Sequence, residues 1–248
     1  MPYVGPFLRQ VANRYPEGSV VRIRSGHGAG LFWRRRHRYV NGYWLGHYES
    51  DIQDAIVRHL APGAVFYDVG ANAGFFSAIA ARVVGSRGRV YAFEPDPDNM
   101  DAIRDVIALN DFSRCELCPQ AVSDLDGELD FQTGGENSFI AHIGPVRAPG
   151  EKTLRVKSTT LDAFVTDHTP PTLVKIDVEG AEGQVLAGAA QLIAAGTTFL
   201  IELHGVDCGQ AVVSRLSAAG YVFEGLDGRP SPDPARAHHV VAKPATAG

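Results

Sequence analysis

Asp68-Val69-Gly70-Ala71-Asn72-Ala73-Gly74 follows the apolar run Val65-Phe66-Tyr67 and precedes a helix-compatible run from Phe75 to Val84. Such a glycine-rich strand-to-helix turn lets a ligand approach the backbone, and the helix N-terminus behind it presents free N–H groups. Glu94 closes the next apolar run, Val90-Tyr91-Ala92-Phe93, 20 residues beyond Gly74. An acid there accepts hydrogen bonds from both ribose hydroxyls of an adenosine. The spacing is not the dinucleotide fingerprint: Gly70 and Gly74 are four apart with Asn72 between them, and no Gly-Lys-Ser/Thr follows to make a phosphate loop. Asp68, ahead of the first glycine, would repel a diphosphate and attract a cationic amino-acid group, which favours S-adenosylmethionine over NAD. The competing reading is a turn that serves only tight helix-strand packing.

Outward from the turn, apolar strand-like runs alternate with helical patterns, which predicts an α/β fold with a mostly parallel sheet and helices on both faces. Strands are expected at residues 65–69, 90–94, 115–122, 172–177, 197–203, 221–225 and 238–242. Ala181 to Ala195 reads as one helix, with Val185, Leu186, Ala189, Leu192 and Ile193 on a single face and Gly196 as its stop. Residues 126–157 look like a β-hairpin insertion around a long glycine-rich loop. The expected organisation is an N-terminal extension or cap over residues 1–60 and one catalytic domain over 61–248. The extension carries strand-like Ser19 to Arg24 and Leu31 to Trp33, the aromatic stretch Tyr43-Trp44-Leu45-Gly46-His47-Tyr48-Glu49, and a helix near Ile52 to Leu60.

At 248 residues and 45% hydrophobic content the chain can bury a large core. No run of 18 apolar residues and no signal-like start occurs, so a cytoplasmic protein with no membrane partner is expected. The net charge of −5 argues against a general nucleic-acid partner. The basic cluster Arg34-Arg35-Arg36-His37-Arg38 reads as a solvated edge, with docking of a macromolecule as its alternative. Cys115, Cys118 and Cys208 are an odd set without the companions of a zinc or redox site, and Cys115 and Cys118, three apart on a strand, should face opposite sides.

A second constellation is Leu173-Val174-Lys175-Ile176-Asp177-Val178-Glu179-Gly180-Ala181-Glu182. Asp177 stands at a strand's C-terminal end, where open α/β sheets bind ligands, whereas Glu182 suits the first turn of a helix for electrostatic reasons alone. Phe199-Leu200-Ile201-Glu202-Leu203-His204 then brings Glu202 and His204 to the end of the following strand, two apart and on one face.

Taken in order, Tyr48-Glu49, Asp68 to Gly74, Phe93-Glu94-Pro95-Asp96-Pro97-Asp98-Asn99, Leu109-Asn110, Ala121-Val122-Ser123-Asp124, Thr160-Leu161-Asp162, Lys175 to Glu182 and Ile201 to His204 resemble the FkbM family of S-adenosylmethionine-dependent methyltransferases, over about residues 45–206. The resemblance implies a Rossmann-like class I methyltransferase fold with a seven-stranded sheet. It also implies O-methylation of a hydroxyl on a small molecule, a sugar or a polyketide-type natural product. Methylation of RNA, a protein or a nitrogen, and a cofactor-binding protein without catalysis, stand as alternatives. Asp68, Gly70, Asn72 and Gly74 are expected to hold the methionine end and Glu94 the ribose, with Pro95, Tyr48 and Asp177 beside the cofactor and Ser123 and Asp124 at the adenine edge. Asn99 either supports the ribose loop or caps the helix after Pro97, and Asn137 and Ser138 are candidates to close over the cofactor. Tyr43, Trp44, Tyr48 and Phe139 are candidates to stack on the acceptor. His204, oriented by Glu202, ranks ahead of Asp177 as the general base because histidine titrates near neutral pH. An Mg2+ ion on Asp177, Glu202 and His204 is an alternative that no carboxylate spacing compels. A homodimer built through the N-terminal segment stays open.

Overall fold

The structure is a computed structural model that describes residues 16–39, 42–134, 142–143 and 150–245. Its strands in chain order are β1 (Val20–Arg22), β2 (Phe32–Arg34), β3 (Val65–Val69), β4 (Arg89–Phe93), β5 (Cys115–Cys118), β6 (Ala121–Val122), β7 (Gly127–Gly134), β8 (His142–Ile143), β9 (Glu151–Thr159), β10 (Leu173–Ile176), β11 (Thr198–Glu202), β12 (Tyr221–Glu224) and β13 (His239–Pro244). Seven of them form one sheet in the order β12-β13-β11-β10-β3-β4-β5. Pairing is parallel from β11 through β5, and β13 alone runs antiparallel to its neighbours β11 and β12.

Every residue of β3 and β10 is buried, because helices cover both sheet faces. Phe66, Leu173 and Leu200 point into one core with the helices Ser50–His59, Phe75–Val84 and Pro97–Leu109. Tyr67, Val174 and Phe199, one residue along each strand, point into the other with the helices Leu161–Asp167, Glu182–Ala187 and Val206–Ala218. This is the period-two alternation of a strand expressed as a three-layer α/β/α stack. Cys115 belongs to the first core and Cys118 to the second, both as free thiols. Among the described residues no helix is long and apolar enough to cross a membrane.

Three local readings need correction. The strand expected at 115–122 is two strands, because β5 pairs with β4 while β6 turns away to pair with β9. β6, β9, β7 and β8 make a separate four-stranded sheet, in which β7 and β9 are the expected hairpin. The helix expected from Ala181 to Ala195 breaks into Glu182–Ala187 and Ala190–Ala194. Gly188, at the break, passes so close to the Ser123 carbonyl that a Cβ would sit 2.3 Å from that oxygen. The Asp162 carboxylate accepts from the Gln191 N–H at 3.0 Å and caps the second piece.

The basic cluster is not a solvated edge. Arg34 and Arg36 both pair with Asp105, at 3.0 and 2.6 Å, and Arg38 pairs with Asp98. Arg35 is only 3% exposed, with its guanidinium 5.1 Å from the Trp44 ring centroid. β1 and β2 are thereby strapped to the helix Pro97–Leu109, and Asn110 adds a reciprocal pair of bonds with the Phe32 backbone, at 2.8 and 2.9 Å. Trp33 packs edge-on and Tyr43 tilted against Phe75, so the N-terminal segment shares a core with the sheet.

Candidate active site at the carboxyl edge of the sheet

A cavity of about 370 Å³ opens across the C-terminal ends of β11, β10, β3 and β4. Gly70, Asn72, Glu94, Pro95, Tyr48, Asp177 and Glu202, seven of the residues expected at the site, line it. Asp68, Gly74, Ser123, Asp124 and His204 do not, and Asn137, Ser138 and Phe139 lie outside the described residues. Tyr43 lines the cavity, while Trp44 is buried beside Arg35.

The glycines of the turn are required by packing. Gly70 has φ 78°, and a Cβ there would come within 1.8 Å of the Asp177 carbonyl oxygen, so β10 approaches this backbone directly. Gly74, φ 79°, opens the helix Phe75–Val84, where a Cβ would meet Ile103 at 3.0 Å. Asn72 takes φ 51° between them, and its side-chain oxygen accepts from the Ala73 N–H at 2.7 Å.

Glu94 is 4% exposed and accepts from two backbone N–H groups, those of Asn72 and Asp96, each at 2.8 Å. Burial outweighs these donors and pushes its carboxyl up to about 8. The ionised form therefore lacks partners that a vicinal diol placed in the cavity would supply, which is how this site fits an adenosine ribose. Asp96, not Asn99, caps the following helix, accepting from the Asp98 and Asn99 N–H groups at 2.8 and 3.2 Å. Asn99 instead accepts from the Tyr39 hydroxyl at 2.6 Å, while also lining the cavity.

Asp68 is a correction to the expected cofactor contacts. It is fully buried behind the cavity wall, where one carboxylate oxygen accepts from Ser77 at 2.6 Å and the other lies 3.7 Å from the Lys175 ammonium. The cation it faces is a side chain of this chain: Lys175 and Asp68 are register partners across β10 and β3. Lys175 also donates to Asp177 at 3.1 Å and reaches the cavity. Burial alone would lower its basicity, but Asp177 and Asp68 hold it above the ordinary lysine value, so it is a fixed cation. Ser123 and Asp124 are displaced because β6 turns outward; the Ser123 N–H donates to the Thr159 carbonyl and its hydroxyl to Asp124. Gln120, Ala121 and Val122 line the cavity in their place.

His204 is the second correction. Its Nδ1 lies 2.7 Å from Glu182, and its Nε2 lies 3.3 Å from Glu179 and 3.5 Å from Glu202. Burial opposes its charge, yet the hydrogen bonds to Glu182 and Glu202 prevail and push the imidazole up to about 10. An imidazolium at neutral pH outside the cavity cannot accept a proton from a substrate. Glu182 is its buried anchor, also accepting from the Cys208 thiol and the Gly180 N–H. Among the described residues, the three-residue grouping with Asp177 close enough to hold an ion is Asp177, Glu179 and His204, without Glu202.

Glu49, quoted with Tyr48 in the sequence motifs but given no role there, enters as a site residue. It lines the cavity beside Asp177 and Glu202, in a left-handed backbone conformation (φ 42°) ahead of the helix Ser50–His59. Burial first, then the charge of Glu202, push its carboxyl up to about 7. A strained non-glycine backbone holding a carboxyl poised near neutrality is the pattern of a proton acceptor.

These features agree with the comparisons. A model of the methyltransferase FkbM domain matches residues 68–223. The hexuronic acid methyltransferase AglP of Haloferax volcanii is 29% identical over 164 residues, 64% of each chain. A probable cobalt-precorrin-6B C(15)-methyltransferase (decarboxylating) of Sulfolobus acidocaldarius is 29% identical over 128 residues, 50% of this chain and 66% of that one. The match thus spans about two thirds of the length of these curated relatives. A SAM-dependent O-methyltransferase of Thermotoga maritima superposes with a TM-score of 0.51 at 12% identity, covering 96% of this chain and 82% of that one, which shows a shared fold. The six parallel strands with one antiparallel β13, the glycine turn, Glu94 and the matched domain lead to one conclusion: this chain belongs to the FkbM methyltransferase family.

Proposed function

We propose that this chain transfers the methyl group of S-adenosylmethionine to a hydroxyl of a sugar-type small molecule. The observation that carries the reading is that the cavity is lined by Glu94 after β4 and, across β3, by Asp177 after β10 and Glu202 at the end of β11, with Glu49 near both. β4 and β11 are three strand spacings apart, about 14 Å at ~4.8 Å each, enough to separate a cofactor half from an acceptor half. The relative named for a hexuronic acid supports a sugar acceptor. Arg34, Arg36 and Arg38 pair with Asp105 and Asp98, which weighs against this cluster as a docking surface for a macromolecular substrate.

Bound in the Glu94 half, S-adenosylmethionine supplies an electrophilic methyl group. Glu94 would accept from the ribose hydroxyls, and the backbone from Gly70 to Asn72, which lines the cavity, would hold the cofactor beside it. Glu49, ionised above about pH 7, would take the proton of the acceptor hydroxyl as the hydroxyl oxygen receives the methyl group and S-adenosylhomocysteine departs as the leaving group. Asp177, fixed by Lys175, accepts from a neighbouring hydroxyl and orients the ring, while Tyr43 and Tyr48 offer aromatic faces to its C–H surface. Incubation with methyl-labelled S-adenosylmethionine and a panel of uronic acids and glycosides, with and without EDTA, tests this. Label in a sugar ether supports it; label only in RNA or protein, or cofactor binding without transfer to any sugar, overturns it.

A further inference from the structure

Beyond the methyl-transfer site, one cluster of nitrogen donors has no role in that chemistry. Glu202 and His239 are register partners across the antiparallel pair β11 and β13, so their side chains rise together on one face. His238 immediately precedes β13, and its carbonyl accepts from the Leu203 N–H at 2.8 Å, which fixes it over the same strand end. Neighbouring residues on a regular strand would point to opposite faces. Here both imidazoles converge on one carboxylate: Glu202 lies 3.1 Å from His239 Nε2 and 3.6 Å from His238 Nε2, and the two Nδ1 atoms are 3.0 Å apart.

We propose that Glu202, His238 and His239 form a binding site for a zinc-type divalent transition-metal ion. One donor atom from each residue falls within a mutual 4.8 Å. The carboxylate-to-imidazole separations, 3.1 Å from Oε2 to His239 and 3.6 Å from Oε1 to His238, are each near the ~3.4 Å edge of a tetrahedron with metal-ligand bonds near 2.1 Å. His239 Nε2 is buried, and among the described residues it has no partner in hydrogen-bond geometry despite its nearness to Glu202. A ring nitrogen in that position is either a donor or an acceptor left unmet, and a metal meets the acceptor form. Two imidazoles with one carboxylate select zinc over magnesium, which takes oxygen ligands. His238 is 70% exposed, so the remaining coordination position opens to solvent and the ion exchanges. His204 Nε2 lies 3.5 Å from Oε1 of Glu202, the same oxygen that His238 approaches, and fixes the orientation of the carboxylate. Because Glu202 also lines the cavity, an ion here clamps β13 to β11 and reaches the wall of the acceptor half.

The test uses the tag-free full chain and zinc ions alone, by calorimetric titration, with cobalt(II) absorption as a coordination readout. One zinc ion per chain is expected, together with visible cobalt bands of a four-coordinate site. His238→Ala, at an exposed position where folding is not at stake, and His239→Ala should each weaken zinc binding at least about tenfold and remove the bands. His204→Gln should leave the stoichiometry unchanged, which separates this site from Asp177, Glu179 and His204. Absence of zinc binding in the parent chain, affinity in both alanine variants equal to that of the parent, or loss in His204→Gln with retention in His238→Ala would each overturn the proposal.

Discussion

Replacing Lys175 with methionine tests the electrostatics at the heart of the sheet. Lys175 is 3% exposed, lies 3.1 Å from Asp177 and 3.7 Å from Asp68, and sits 5.3 Å from the Phe76 ring centroid. At an effective dielectric of about 20 the two carboxylates attract it by about 10 kcal/mol in total, most of which is offset by desolvation. Methionine keeps the volume and removes the charge, leaving fully buried Asp68 with Ser77 as its hydrogen-bond partner. Breaking a buried pair from one side costs about 3–5 kcal/mol. For a chain of this size that lowers the melting temperature by about 6–20 °C, at about 2–4 °C per kcal/mol. Urea unfolding at pH 7 measures the loss directly, and a cycle with Asp68→Asn measures the coupling. The double variant should be more stable than the sum of the single losses predicts by at least about 1 kcal/mol. A loss below about 1 kcal/mol for Lys175→Met, or strict additivity, would refute the assignment of Lys175 as the counterion of Asp68.

Two further outcomes follow from the site. Glu49, whose carboxyl burial raises to about 7, acts as a base only when ionised, so kcat/KM should climb with pH and level off above about 7. Glu49→Gln should abolish that limb while leaving S-adenosylhomocysteine affinity intact; an unchanged pH profile would dismiss Glu49 as the base. Gly70→Ala should cost about 3 kcal/mol or more in urea unfolding, because the φ of 78° strains a side chain and its Cβ would collide with the Asp177 carbonyl. A loss under 1 kcal/mol there would mean that β10 and the turn can separate freely.

The parts of the fold legible in the sequence were those set by local burial. β3, β10 and β11 read as strands because their apolar runs are buried on both faces, and glycines at positive φ marked the turn ahead of Phe75. Glu94 was legible for the same reason, since it directly follows a strand whose end faces the cavity. What escaped depends on which strands lie side by side. Asp68 looked like a ligand contact until the register of β3 and β10 placed Lys175 against it; a lysine inside the apolar run Leu173-Val174-Lys175-Ile176 was the available signal. His204 looked titratable near neutrality, but Glu179 and Glu182 arrive from the turn after β10 and keep it charged. Glu49 stood in the motif Tyr48-Glu49 without a role, because its elevated pKa arises from burial and Glu202, which only the folded chain brings together. The outward turn of Ser123 and Asp124 likewise follows from the pairing of β6 with β9.

The central claim is that Glu94 and the glycine turn form a cofactor half for S-adenosylmethionine. Calorimetric titration with S-adenosylhomocysteine, on the parent chain and on Glu94→Gln, tests it without knowledge of the acceptor. One site per chain is predicted. Above the Glu94 value of about 8, where its carboxyl is ionised, the variant exchanges charge-assisted hydrogen bonds to the ribose for neutral ones and should bind about 10-fold or more weakly, the equivalent of about 1.4 kcal/mol or more. No binding by the parent chain, or equal binding by the variant, would contradict the account.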